Sequence, residues 1–243
     1  MRVAIASDIH GNKQAFEAVI AAAEADGVEE LWCLGDLVGY GAEPDACVDL
    51  AAAHCTICLA GNHDLAVVDV LSLDDFSRGA ALAAKWTQEV ISPETREYLL
   101  SLSPTGASEG VGLFHASPRD PVWEYVLSAL AAELCFDATD HRISFIGHSH
   151  VALSFHRAEG EPATGTTRRE GAEVDLSTGE WLLNPGSAGQ PRDGDARAAW
   201  LVLDTDALTA QWRRAEYDIA AAQAAIRAAN LPDSLAERLQ YGQ

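Results

Sequence analysis

The first two thirds of the chain alternate short apolar runs with stretches whose apolar residues recur every three or four positions. The runs are Val3–Ser7, Glu30–Gly35, Cys55–Ala60, Val111–Ala116 and Arg142–Gly147, and their length and composition predict buried strands. Between the first two, Phe16, Val19, Ile20 and Ala23 fall at i, i+3, i+4 and i+7, which is the buried stripe of a helix that ends near Gly27. Glu43-Pro44-Asp45 begins a second helix, with Pro44 in the first turn where its missing N–H is no loss. Further helices are expected over Asp75–Val90, Glu94–Leu102 and Trp123–Phe136. Strands alternating with helices in this way predict βαβ units around a mostly parallel sheet.

After about Val151 the texture changes. VALSFHR, AEVDLSTGEWLLNPGS, RAAWLVLD and ALTAQWRRAEYD read as a largely antiparallel portion, with a hairpin turn at Ser177-Thr178-Gly179. An Ala-rich helix follows from about Ile219 and a short one after Pro232. The polar, glycine-containing segment Glu159–Gly171 predicts the most mobile loop. There is no internal repeat or low-complexity linker, and 243 residues suit a single domain over 1–243.

The chemistry lies where polar residues end the apolar runs. The first strand ends in Asp8-Ile9-His10, the second in Gly35-Asp36, the third in Gly61-Asn62-His63-Asp64, the fourth in His115 and the fifth in Gly147-His148-Ser149-His150. In an open parallel sheet the carboxyl ends of the strands share one edge, where such folds bind ligands, so these residues can converge. The donors of Asp8-Ile9-His10 and of His148-Ser149-His150 are two apart, and an extended backbone would send both to one side. Asp8, His10, Asp36, Asn62, His115, His148 and His150 are more ligands than one tetrahedral centre takes. Two divalent ions sharing a carboxylate are the economical reading, and the mix of imidazole, carboxylate and amide suits Mn, Fe, Ni or Zn.

Composition narrows the classes. With 48% apolar and 22% charged residues the chain is neither disordered nor fibrous. Its formal charge, 16 − 37 = −21, repels polyanions and argues against non-specific nucleic-acid binding. Five scattered cysteines, Cys33, Cys47, Cys55, Cys58 and Cys135, make no disulfide framework, and a reducing cytoplasm is the expected compartment. Strand-like sequence from Arg2 leaves no room for a secretory signal, and no run approaches the roughly 18 apolar residues of a membrane span.

The ordered set D-x-H, G-D, G-N-H-D, a lone H and G-H-x-H resembles the calcineurin-like metallophosphoesterase superfamily over nearly the whole chain. SDIHGN, GDLVGYG, FHASPRDP, GHSH and NPGSAGQPRDGD resemble its small bacterial and archaeal YfcE-like branch. The resemblance implies an α/β fold, a four-layer α/β/β/α sandwich of two mixed sheets. It implies one metal on Asp8, His10, Asp36 and His150, and a second on Asp36, Asn62, His115 and His148, with Asp36 as the bridge. A hydroxide generated between the ions would attack the phosphoryl group in line, His63 would assist the leaving oxygen and Asp64 would orient His63. Asn12 is a candidate contact to a phosphate oxygen. The implied partner is a small phosphate ester.

Other features carry two readings. Arg119 and Arg192, in similar Pro-Arg-Asp loops, either hold the substrate phosphate or pair with Asp120 and Asp193. Cys55-Thr56-Ile57-Cys58 without a second such pair is better read as packing than as half a zinc site. Asn184-Pro185-Gly186-Ser187 is either a structural turn or a neighbour of the site. Tyr40, Trp123 and Tyr125 either pack or offer a stacking face. His54, His141 and His156 sit in no motif. The resemblance to the YfcE-like branch implies phosphodiesters as the favoured substrate class. Phosphomonoesters or phosphoproteins are the alternative, weakened because GDLVGYG lacks the arginine of the G-D-x-x-D-R-G motif, and a non-catalytic scaffold of the same fold comes third.

Overall fold

Along β1 (Arg2–Ala6) the side chains of Val3 and Ile5 enter one apolar cluster and those of Ala4 and Ala6 another. That alternation, repeated strand by strand, makes the layers of the computed structural model, which describes residues 1–243. The chain continues through α1 (Lys13–Ala25), β2 (Glu30–Cys33), α2 (Pro44–His54), β3 (Cys55–Cys58), α3 (Asn62–Val67), α4 (Arg78–Val90) and α5 (Pro93–Ser101). Next come β4 (Thr105–Ser108), β5 (Val111–Phe114), α6 (Ala129–Phe136), β6 (Ile143–Phe145), β7 (Leu153–Arg157), β8 (Thr164–Thr167) and β9 (Glu173–Asp175). β10 (Glu180–Asn184), β11 (Ala198–Asp204), β12 (Thr209–Ala215), α7 (Ile219–Ala228) and α8 (Asp233–Glu237) complete it.

Two six-stranded sheets run β3-β2-β1-β11-β12-β9 and β4-β5-β6-β10-β7-β8. Val3, Ile5, Trp32, Leu201 and Trp212 of the first sheet meet Leu113, Phe145, Trp181 and Leu183 of the second in the central core. The opposite face of the first sheet, through Ala4, Cys33 and Trp200, packs on Phe16 and Val19 of α1 and Cys47 and Val48 of α2. The outer face of the second packs Phe155 and Leu182 against Ala132, Cys135 and Phe136 of α6. The result is the expected four-layer helix–sheet–sheet–helix sandwich.

The five apolar runs do not share one sheet. β1, β2 and β3 are parallel in the first, while β5 and β6 are parallel in the second. The antiparallel strands are distributed over both sheets rather than forming a separate half, and β10 pairs parallel with β6. Ser177-Thr178-Gly179 is not a hairpin turn: β9 pairs with β12 and β10 with β7 and β6, so this turn carries the chain from sheet to sheet. Arg142 fastens it, donating to the carbonyls of Leu176 and Gly179.

The helix expected over Trp123–Phe136 begins only at Ala129, capped by Ser128. Upstream, the Asp120 carboxylate accepts from the amides of Val122 and Trp123, a local turn that competes with helix formation. Similarly, α4 starts at Arg78 behind a Ser77 cap instead of at Asp75. The segment expected to be the most mobile loop contains β8, paired with β7. All five cysteines are free. No helix is long and apolar enough to cross a membrane.

Candidate metal centre

The loops that leave β1, β2 and β3 and those that leave β5 and β6 meet at one end of the sandwich. They are laced by main-chain bonds: Asp8 N to Gly35 O (3.0 Å), His10 N to Asp36 O (2.8 Å) and Gly147 N to His115 O (2.7 Å). Within this framework Asp8, His10, Asp36, Asn62, His63, His115, His148 and His150 come together, each at most 4% exposed.

The expected extended backbone at the D-x-H and H-x-H pairs is not what brings them there. Asp8, His10, Asp36, His148 and His150 all have left-handed backbone, with φ between 51° and 63°. The chain therefore turns at each donor, and Ile9 between two of them drops into the core. Such a conformation costs an L-residue of order 1–3 kcal/mol and persists where its surroundings dictate it. Close approach is equally demanding at Gly61, where a Cβ would overlap the Asp36 carboxylate.

The imidazoles are aimed from behind. Nδ1 of His10 donates to Val38 O (3.1 Å), that of His115 to Leu34 O (2.9 Å) and that of His150 to Gln190 O (2.6 Å). Those bonds fix the tautomer and turn each Nε2 lone pair inward. The Nε2 atoms of His10 and His150 then lie 3.0 Å apart, with no proton to share. Asp36 gives Oδ1 to His63 N (2.8 Å), while Oδ2 has no hydrogen-bond partner and lies 3.5 Å from His10 Nε2 and 3.6 Å from His115 Nε2. His115 Nε2 is 3.2 Å from Asn62 Oδ1, and His148 Nε2 is also unpartnered. Three sets of facing ligand atoms result, Asp8-His10-His150, Asp36-His115-His148 and His10-Asp36-His63.

The electrostatics agree. Burial raises Asp8 to about 7, opposed by His115, and pushes Asp36 well above the carboxylate range, helped by the nearby Asp64. Burial and neighbouring positive charge hold His10, His148 and His150 well below the ordinary imidazole value. Neither Asp8 nor Asp36 pairs with a lysine or arginine. Inward lone pairs and carboxylates lacking a counter-charge are the donor set a divalent transition ion satisfies, so these residues fit a metal.

His63 lies over this set, its ring centroid 4.8 Å from that of His10, 4.5 Å from Tyr40 and 4.9 Å from Phe76. Burial first, then Arg192 and His115, lower its pKa to about 3. Asp64 does not orient it. The Asp64 carboxylate accepts from Gly61 N (2.9 Å) and Val38 N (3.1 Å), tying the third loop to the second, and His63 Nδ1 is left without a partner. Asn12 is likewise occupied: Oδ1 caps α1 at Ala15 N and Nδ2 donates to Gly189 O (2.8 Å), so its side chain is built into the scaffold.

Arg119 points elsewhere, to Glu124 (2.9 Å), and does not reach the cavity above the centre. Arg192 does line that cavity, held by Gln190 Oε1 (3.0 Å) and Tyr40 Oη (3.4 Å). Of the aromatic candidates, Tyr125 stacks on His148 with centroids 4.1 Å apart and Trp123 packs edge-on to Phe76. The cavity has a volume of about 360 Å³. Its lining includes Phe76 and Arg238, which lie in no motif. The Asn184–Ser187 turn is a brace beneath the site. Asn184 Nδ2 donates to Gly147 O (2.7 Å) and Ser187 Oγ to Asp8 O (2.7 Å).

Comparison with known proteins accords with this geometry. A model of the calcineurin-like phosphoesterase superfamily domain matches residues 1–207. An uncharacterized protein of Methanocaldococcus jannaschii is 36% identical over 246 residues, covering 99% of this chain and 98% of its own length. The crystal structure of a metallophosphoesterase from Sphaerobacter thermophilus superimposes with a TM-score of 0.90 at 40% identity, covering 100% of both chains. A hypothetical protein from Pyrococcus horikoshii shares the fold at a TM-score of 0.78 and 19% identity, over 100% of this chain and 98% of that one.

Proposed function

This chain belongs to the calcineurin-like phosphoesterase superfamily and is a metal-dependent phosphoester hydrolase, and from that premise we propose that it cleaves phosphodiesters of small molecules at two divalent ions. The position of Asp36 carries the reading. Its free oxygen is nearly equidistant from His10 Nε2 and His115 Nε2, at 3.5 and 3.6 Å, which supports one ion held by Asp8, His10, Asp36 and His150 and another by Asp36, Asn62, His115 and His148. When bound, two such ions would supply Lewis acidity and a hydroxide nucleophile near neutral pH.

The protein's own groups do the rest. Asp8 and Asp36 hold fixed positions through the amides of His148 and His63, so the donor set needs little rearrangement. His63, neutral because of its depressed pKa, offers an N–H to the charge developing on the leaving oxygen. The cavity extends past the centre along Phe76 and Trp123, room that supports an ester with a group on each side of the phosphoryl. A net charge of −21 is consistent with a small substrate instead of a nucleic acid.

The test is hydrolysis of bis-p-nitrophenyl phosphate against p-nitrophenyl phosphate, with metal-stripped protein reconstituted in turn with Mn, Ni, Zn and Mg. Metal-dependent diester turnover that collapses in Asp36→Asn is the expected result. A strong preference for the monoester would overturn the diester assignment, and no turnover by folded, metal-loaded protein would favour the scaffold reading.

A further inference from the structure

Eight of the fourteen arginines lie within 4 Å of an acidic side chain, as a charge of −21 makes easy. Two of the six that do not, Arg192 and Arg238, line the same cavity, directly above the metal centre. Arg192 comes from the loop after β10 and Arg238 from the 3-10 turn Arg238–Tyr241 that follows α8, so the fold brings together guanidiniums 46 positions apart.

Arg192 spends only Nη2 within the protein, on the neutral oxygens of Tyr40 and Gln190, and its buried Nε has no partner. Arg238 spends only Nε, on the main-chain oxygen of Gln243. Nη1 of Arg192 and both Nη atoms of Arg238 make no hydrogen bond. Burial and the charge of Arg192 both act against the charge on Arg238, so the two repel. Two adjacent, half-buried guanidiniums without a carboxylate are an unfavourable arrangement until an anion lies between them, and their planar forks match pairs of phosphate oxygens. The scissile phosphoryl group already has the metal centre for its charge.

We propose that Arg192 and Arg238 form an anion subsite for a second phosphate of the substrate, next to the phosphoryl group at the metal centre. The natural substrate is then an organic phosphate with at least two phosphate groups, as in a phosphoanhydride. This rests on the hydrolase reading above, with the substrate entering through the same 360 Å³ cavity.

The test is calorimetric binding of methylphosphonate and methylenediphosphonate to the manganese-loaded protein in excess manganese, for wild type, Arg192→Gln and Arg238→Gln, with diester turnover measured on the same samples. Charge-assisted hydrogen bonds of about 1.5–3 kcal/mol give the wild type a preference for the bisphosphonate of roughly tenfold or more. Arg238→Gln, which keeps a polar side chain of similar length on the 3-10 turn, is expected to remove most of that preference. Retention of the full preference in both variants, or a parallel weakening of both ligands, overturns the subsite. An arginine-dependent preference in protein that turns over no diester would overturn the phosphodiesterase reading alone.

Discussion

Five of the seven proposed ligands hold a backbone conformation that L-residues avoid, so the direction of each donor atom comes at the cost of local stability. His63 differs from them. Its backbone is helical, at the start of α3, and its ring is set by contact with Tyr40, Phe76 and Gly39 rather than by a hydrogen bond to a second residue. His63 also faces His10 and Asp36 closely enough to share an ion, so its proposed role at the leaving oxygen is separable from a ligand role only by measuring turnover and metal content together. His63→Ala should lower kcat by about 100-fold or more, the scale of losing one donor to developing charge. Metal content by elemental analysis should stay at the wild-type level. Turnover within a few-fold of wild type would remove His63 from the reaction.

At the scale of elements the site is a set of strand-end loops, and Asp64 shows how they are joined. Its carboxylate accepts two buried amides from different loops, so Asp64→Ala leaves both unpaired at about 1–3 kcal/mol each. The expected result is a lower Tm and weaker metal retention, with kcat per bound metal close to wild type. A fall in kcat at full metal occupancy would instead restore Asp64 as the partner of His63. The convergence itself was legible in the sequence, because polar interruptions of apolar runs mark strand ends and parallel strands share an edge. The left-handed turns at Asp8 and His148 were not, since φ leaves no trace in hydrophobic pattern. The turn at Ser177–Gly179 misled for a related reason: local turn chemistry is the same whether the next strand stays in the sheet or crosses to the other. Arg238 carried no signal at all, being one arginine in a polar C-terminal stretch whose place above the centre is decided by the packing of α7, α8 and the 3-10 turn against α4 through Ala83, Ile226, Leu235 and Leu239.

On the scale of the whole molecule the centre joins the two sheets. Asp8, His10, Asp36 and Asn62 leave the first sheet, while His115, His148 and His150 leave the second, so an ion held by both sets is a cross-link between the halves of the sandwich. It would also neutralise Asp8 and Asp36, the two ligand carboxylates buried without a lysine or arginine partner in a chain that carries 37 acidic residues against 16 basic ones. Binding to the folded state alone stabilises by about 2.7 kcal/mol when free metal stands at about 100 times Kd. For a protein of this length roughly 2–4 °C of Tm accompanies each kcal/mol, so stripping the metal with a chelator should lower Tm by roughly 5–10 °C. Mn, Ni or Zn should restore it, and Mg should restore least, because it prefers oxygen ligands and four of the seven donors here are imidazoles. A thermal scan before and after chelation reads this without any substrate. An unchanged Tm, in protein shown to have lost its metal, would mean that the two sheets hold together on their shared apolar core alone.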